Sequence, residues 1–272
     1  MIGFRTACLR QPRFAKCRAW LFCLGWGVVV GCAQLHQAST SGLPLRHARQ
    51  VGQLAFYTDT ELPRDHRLLA ELTTLQAELA RQLNVPESHD TIHIYLFDAA
   101  DRYQTFLKQY YPDLPDRRAF FMETNSRLVV YAAWSDQTTL DLRHEVTHGY
   151  LHAAWPTIPL WLDEGLAEYY EIPSSTVGRI NAPHLDLLHR LLQSGWRPSL
   201  QRLEKQTRFA EFDAACYAES WAVTHYLMSH APQTLAAYLE SLNTSTPSHF
   251  PPINEAALLA HLFELDRRYR LK

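Results

Sequence analysis

Residues 139–171 read TLDLRHEVTHGYLHAAWPTIPLWLDEGLAEYYE, and two short runs inside them govern how the rest of the chain is read. The first is His144-Glu145-Val146-Thr147-His148; the second is Trp161-Leu162-Asp163-Glu164-Gly165-Leu166-Ala167-Glu168. Both read as helical. A helix turns by about 100° per residue, so residues four apart lie one above the other on the same face, and His144 and His148 can bind one metal ion from a single helix. Glu145 falls on the same flank, about 60° from His148, where it reaches a water at the metal without ligating the ion itself.

A structural zinc site fills four positions with protein ligands, whereas a catalytic one uses three and keeps the fourth for water. The third ligand is expected from a second helix close behind. Glu164 is the best candidate, because small Gly165 and Ala167 let that helix pack closely. Glu168 lies one turn further on the same face, placed to accept the free ring N–H of a ligand histidine and so fix its tautomer. With 14 histidines and 15 glutamates in 272 residues, chance alone supplies roughly 0.04 copies of the five-residue pattern. The second run, whose Glu164 stands 16 residues after His148, therefore carries much of the weight.

These residues resemble the gluzincin metallopeptidases, and within them the bacterial peptidase MA-like family. HEVTHGYLHAAW…IPLWLDEGLAEYYE is similar to that family's core over residues 144–171, with a looser likeness at YAESWAVTHYL, residues 217–227. The resemblance implies a zincin-like α+β fold holding one zinc ion, bound by His144, His148 and Glu164. It makes Glu145 the general base and later proton donor in peptide-bond hydrolysis, and gives Glu168 a supporting place beside a ligand histidine. The hydrolytic oxyanion needs a donor besides the metal. The likeness offers Tyr217 for that role, with His225 a weaker candidate. No Gly-Ala-Met-Glu-Asn run, the exopeptidase signature of the related aminopeptidases, precedes the metal helix, so the resemblance implies an endopeptidase whose extended substrate pairs with an edge strand. Residues 128–132 are the candidate strand.

Outward from this core, the N-terminus says where the protein works. Residues 1–31 carry five basic and no acidic side chains, the basic ones all preceding the apolar run AWLFCLGWGVVV at 19–30. Twelve residues are too few to span a bilayer, which takes about 20, and suit the core of a secretory signal. Val29-Val30-Gly31-Cys32 resembles the bacterial lipobox, which makes Cys32 the lipidated first residue of a mature protein anchored in the cell envelope on its extracytoplasmic side. Residues 32–50 are polar, without an apolar period, and read as a tether. Beyond residue 31 the chain holds 21 basic against 28 acidic residues, which argues against nucleic acid as a partner. Only Cys32 and Cys216 remain there, so there is no disulfide framework.

Residues 51–272 are expected to form the catalytic domain, with an α/β part at 51–134 and a helical part at 135–272. Strands are expected at 51–58 and 91–97, a hairpin at 120–124 and 128–132, and helices at 63–83 and from an Asp98 cap to 110. Further helices are expected at 137–154, 160–170, 183–193, 214–230, 232–242 and 254–264, with a shorter one beginning at 199. His152 continues the i, i+4 series but sits a turn too far, and is expected in a satisfied polar position. Cys216 and His225, nine residues apart on one helix, fall on opposite faces and do not form a nucleophile pair. Trp155, Trp161, Trp196 and Trp221 read as core.

The sequence thus points to a membrane-anchored zinc peptidase acting on peptide or protein substrates. The rival is a catalytically silent zincin-fold lipoprotein that binds or scaffolds. Cys32→Ser is expected to block maturation, as globomycin would in the wild type; normal processing of the variant on immunoblots would count against lipidation at Cys32.

Overall fold

The computed structural model describes Leu9–Arg10 and residues 42–270, apart from 87, 115, 125–126, 156 and 244–248. Cys32, most of the leader and residues 32–41 of the tether lie outside the described residues. The fold is α+β: a five-stranded mixed sheet with nine α-helices among the described residues.

The first part supplies the sheet. Strand β1 (His47–Val51) and strand β2 (Leu54–Thr58) form an antiparallel hairpin, and helix α1 (Arg67–Leu83) leads from it to strand β3 (Ile92–Phe97). Helix α2 (Ala100–Tyr110) precedes a second hairpin, β4 (Ala119–Thr124) with β5 (Arg127–Ala133). The order across the sheet is β4-β5-β3-β2-β1, with β3 parallel to both of its neighbours. Leu9–Arg10 adds a two-residue parallel rung outside β4, opposite Met122 and Glu123.

Alternation along the strands divides their side chains between two cores. Leu54, Phe56, Ile92, Ile94, Leu96, Phe121, Leu128 and Val130 face the larger core, into which α1 sends Leu68, Leu72, Leu75 and Leu79. Tyr95, Phe97, Phe120, Val129 and Tyr131 face the other way, onto Tyr103, Phe106 and Leu107 of α2. Helix α1 ends where Asn84 takes a left-handed conformation (φ 51°), the usual way to close off a helix.

The remaining helices are α3 (Thr138–Ala154), α4 (Leu160–Glu171), α5 (Ala182–Gln193), α6 (Leu200–Glu204), α7 (Ala214–His230), α8 (Pro232–Ser241) and α9 (Glu255–Arg270). Asn181 caps α5 at His184 N (3.3 Å) and Asp213 caps α7 at Cys216 N (2.9 Å). Helix α3 runs through the middle of the molecule, and every residue from Asp141 to His152 is buried. Gly149 lets it lie close on the sheet, since a Cβ there would come within 2.9 Å of Ile92. Helix α9 meets α7 through a line of imidazoles. His225 Nδ1 lies 2.9 Å from His261 Nε2, and His261 Nδ1 lies 3.0 Å from His230 Nε2. At the inner end, His225 Nε2 is 2.7 Å from the carbonyl oxygen of Gly178.

Several expectations need correction. The strand expected at 51–58 is a hairpin turning at Gly52 (φ 56°), and its first arm takes in His47–Gln50, read from sequence as the end of the tether. Polar side chains hid that arm, because an outer strand of a sheet needs no buried face. Asp98 does not cap α2: the capping position is Ala99, without a side-chain bond, and Asp98 is held 3.0 Å from Arg102. Nor is the strand at 128–132 an edge. It is paired on both sides, by β4 and β3, and has no free backbone groups to offer a substrate. Beyond it lies β4, whose Phe121 lies against His148 and His152 and whose outer side carries the Leu9–Arg10 rung at Met122 and Glu123.

Helix α4 packs face to face on α7 through Gly165. A Cβ there would meet the Thr224 hydroxyl and come within 2.6 Å of the Ser220 carbonyl oxygen, which is backbone and cannot swing aside. Gly165→Ala is therefore expected to destabilise the fold by about 1–3 kcal/mol, read from urea unfolding; an unchanged midpoint would show that the two helices can separate at no cost.

Candidate metal centre

The site is built where α4 crosses α3. His144 and His148 point from successive turns of α3, and their Nε2 atoms are 3.2 Å apart. Glu164 of α4 brings an oxygen to 3.6 Å from His144 Nε2 and 3.7 Å from His148 Nε2. All three side chains are buried. Ligands of a tetrahedral zinc ion, with bonds of about 2.0–2.1 Å, stand about 3.3 Å from one another, so this triangle is close to that size. Both oxygens of Glu164 are buried without a hydrogen-bond partner. Burial, reinforced by the charges of Asp163 and Glu168, pushes its carboxyl well above the usual range, while Arg117 opposes the rise. A carboxylate this deep, without hydrogen bonds, is stable only beside a cation or a proton. The donor set of two imidazoles and a carboxylate suits a divalent transition metal, and these buried groups could hold one.

The far sides of both imidazoles are held by carboxylates. Asp163 Oδ1 is 2.8 Å from His148 Nδ1, and its Oδ2 is 3.0 Å from His152 Nε2. Burial would raise the Asp163 carboxyl, but the two imidazoles outweigh it and hold the group well below the usual carboxylate range. Glu171 Oε2 is 3.3 Å from His144 Nδ1. Each ring thereby turns its Nε2 toward Glu164.

Sequence reasoning assigned this support to Glu168. Glu168 does come within 4.8 Å of His144 together with Glu171, but its side chain is engaged by Asn181 Nδ2 at 3.1 Å and His184 Nε2 at 2.8 Å. Asp163 and Glu171 were given no role. A signal for Glu171 existed, since positions 164, 168 and 171 share one face of a helix. Asp163 sits beside that face and was harder to see.

Glu145 is buried next to His144, and its charge acts both on Tyr103 of α2 and on Glu164. Tyr217 of α7 is buried too; burial and the charge of Glu164 push its hydroxyl far up, and the charge of Arg117 works the other way. The structure thus gathers His144, Glu145, His148, Glu164 and Tyr217 around one place. His225 is not among them, because its two nitrogens go to His261 and the Gly178 carbonyl. His152 is satisfied by Asp163, as expected of a residue one turn past the pair. Trp155, Trp161 and Trp221 are core; Trp196 is half-buried beneath Arg202. Cys216 is half-buried, its thiol pushed up to about 11 by burial.

Beyond the imidazoles, one cation fixes the two helices against each other. Arg143 of α3, fully buried, donates through Nε to the carbonyl oxygens of Tyr170 (3.0 Å) and Glu171 (3.1 Å), at the end of α4 where helix carbonyls lack intrahelical partners. Its other nitrogens reach Glu71 and Glu78 of α1, both at 3.4 Å. Glu78 also receives Arg179 at 2.6 Å.

Residues 141–249, from the first turn of α3 past α8, match a family described as a protein of unknown function (DUF1570). None of the curated proteins matches the chain.

Burial works to raise the Glu78 carboxyl, but bonds from Ser174 and Arg179 and the charges of both arginines hold it below its ordinary value of 4.5. A lowered carboxyl contributes stability above its unfolded value and loses it as pH falls. Glu78→Gln is expected to cost about 3 kcal/mol at pH 7, because it leaves two buried guanidinium groups short of an anion. The gap from wild type should narrow below about pH 4.5 in pH-dependent unfolding.

Proposed function

We propose that the chain is a zinc-dependent peptidase of gluzincin type, anchored in the cell envelope. The observation that carries the reading is the buried triangle of His144 Nε2, His148 Nε2 and Glu164 with Glu145 beside it. His144, His148 and Glu164 would hold the ion. Zinc bound there would supply Lewis-acid polarisation of a carbonyl and bring the acidity of water toward neutrality.

The chain's own residues do the rest. Glu145 takes a proton from the attacking water and delivers it to the departing amine, a transfer for which a carboxylate in a buried setting is suited. Asp163 and Glu171 keep the two imidazoles in the tautomer and orientation that present Nε2. The outer side of β4, where Leu9–Arg10 pairs only with Met122 and Glu123, takes over the substrate-pairing role first given to residues 128–132. A cleft of 280 Å³ lined by His152, Leu160, Trp161, Asp163 and Phe209 adjoins the site and offers an apolar wall to a substrate side chain. The basic leader and Val29-Val30-Gly31-Cys32 support an extracytoplasmic position. No helix among the described residues is long and apolar enough to cross a membrane.

Metal quantification with cleavage profiling on a peptide library tests the proposal. Wild type is expected to carry one zinc and to cleave. Glu145→Gln should keep the zinc and lose activity by about a hundred- to ten-thousand-fold. Full activity in Glu145→Gln would remove that residue from the mechanism, and zinc without cleavage by the wild type would favour a silent scaffold.

A further inference from the structure

Arg117 precedes β4 on a segment held from both sides. Its carbonyl accepts from Gln104 Nε2 of α2 at 3.2 Å. The next residue, Arg118, makes a two-pronged ion pair with Asp141 of α3, both prongs at 2.8 Å. The backbone is thereby fixed against the metal helix, and the Arg117 side chain turns inward. Its charge acts on Tyr217, Glu164 and Tyr103. Yet Nε and Nη1 of Arg117 are buried with no hydrogen-bond partner. Buried guanidinium nitrogens without acceptors cost free energy, and an anionic oxygen answers such a donor better than a neutral one does.

We infer that Arg117, with Tyr217 beside it, is the anion subsite of this centre, donating to the oxygen that turns negative when water adds to a peptide carbonyl. The inference rests on the peptidase reading above. In that step the water oxygen bonds to the carbonyl carbon, the π pair moves onto the carbonyl oxygen, and Glu145 takes the water's proton. The C–N bond then breaks with its electrons on nitrogen, which receives that proton. The guanidinium donates to the oxygen bearing the charge. A second source of the same chemistry is the C-terminal carboxylate of a substrate, and the two separate by experiment.

The measurements are kcat and KM on an identified peptide in free-acid and amidated forms, zinc content, and calorimetric affinity for a phosphinic peptide, whose tetrahedral anion mimics the adduct. Arg117→Gln is expected to keep its zinc and change KM by less than about threefold. Its kcat should fall by about 10²–10³-fold, the usual effect of removing an oxyanion donor, on both peptide forms. Phosphinic peptide affinity should fall with kcat. Arg117→Lys, which keeps the charge and loses the guanidinium, should lie between, and serves alone if Arg117→Gln does not fold. Tyr217→Phe should combine with Arg117→Gln less than additively, since both donate to one oxygen.

Unchanged kcat and phosphinic peptide affinity in a folded Arg117 variant overturn the inference while leaving the peptidase reading intact. A rise in KM confined to free-acid peptides overturns it in favour of a substrate carboxylate anchor, and loss of zinc overturns it in favour of a structural role. A wild type that neither binds zinc nor cleaves overturns the peptidase reading, and this inference with it.

Discussion

The structure depends on one constraint: a helix buried on all sides that carries eight buried polar side chains. Thr138, Asp141, Arg143, His144, Glu145, Thr147, His148 and His152 of α3 all lie away from water. Buried polar groups left unmatched cost far more than matched ones return, so the surrounding elements must bring complementary groups to each. Arg118 meets Asp141; Glu71, Glu78 and two carbonyls meet Arg143; Glu171 and Asp163 meet the histidines. The side chains that shape the site also dictate how α1, α4 and β4 are stacked.

Helix α4 shows the constraint most clearly. It is fixed to α3 near its beginning by Asp163 and at its end by the Arg143 bonds to Tyr170 and Glu171, while Gly165 lets its other side lie flat on α7. Glu164 sits between these ties. Its place opposite the two imidazoles therefore follows from three independent contacts, none of which involves Glu164 itself.

Local patterns were legible in the sequence. Leucines at helical spacing gave α1, the run from 214 to 230 gave α7 to the residue, and His144, His148 and Glu164 came from two short runs at the right separation. What escaped was pairing over long distances. That 128–132 lies inside the sheet depends on β3, more than 30 positions earlier, and alternation along one strand says nothing about its neighbours. Arg117 and Glu78 escaped for a related reason: a charged side chain reads as solvated until the fold brings its partners to it. The zincin-like resemblance drew attention to Glu168, one turn from Glu164, whereas the ring nitrogens are met by the residues at 163 and 171.

The line of imidazoles between α7 and α9 has a direction. A carbonyl oxygen can only accept, so His225 must carry its hydrogen on Nε2, which leaves its Nδ1 to accept from His261 Nε2. His261 Nδ1 must in turn accept from His230 Nε2. Of all the tautomer combinations open to three imidazoles, one alone makes every bond. An added proton finds no place inside the line, in keeping with a His261 ring pushed down to about 4 by burial and by its neighbouring imidazoles. Only the outer nitrogen of exposed His230 can take one without breaking a link, so the C-terminal helix is keyed to the body by where three hydrogens sit, and the key is read from the Gly178 carbonyl outward.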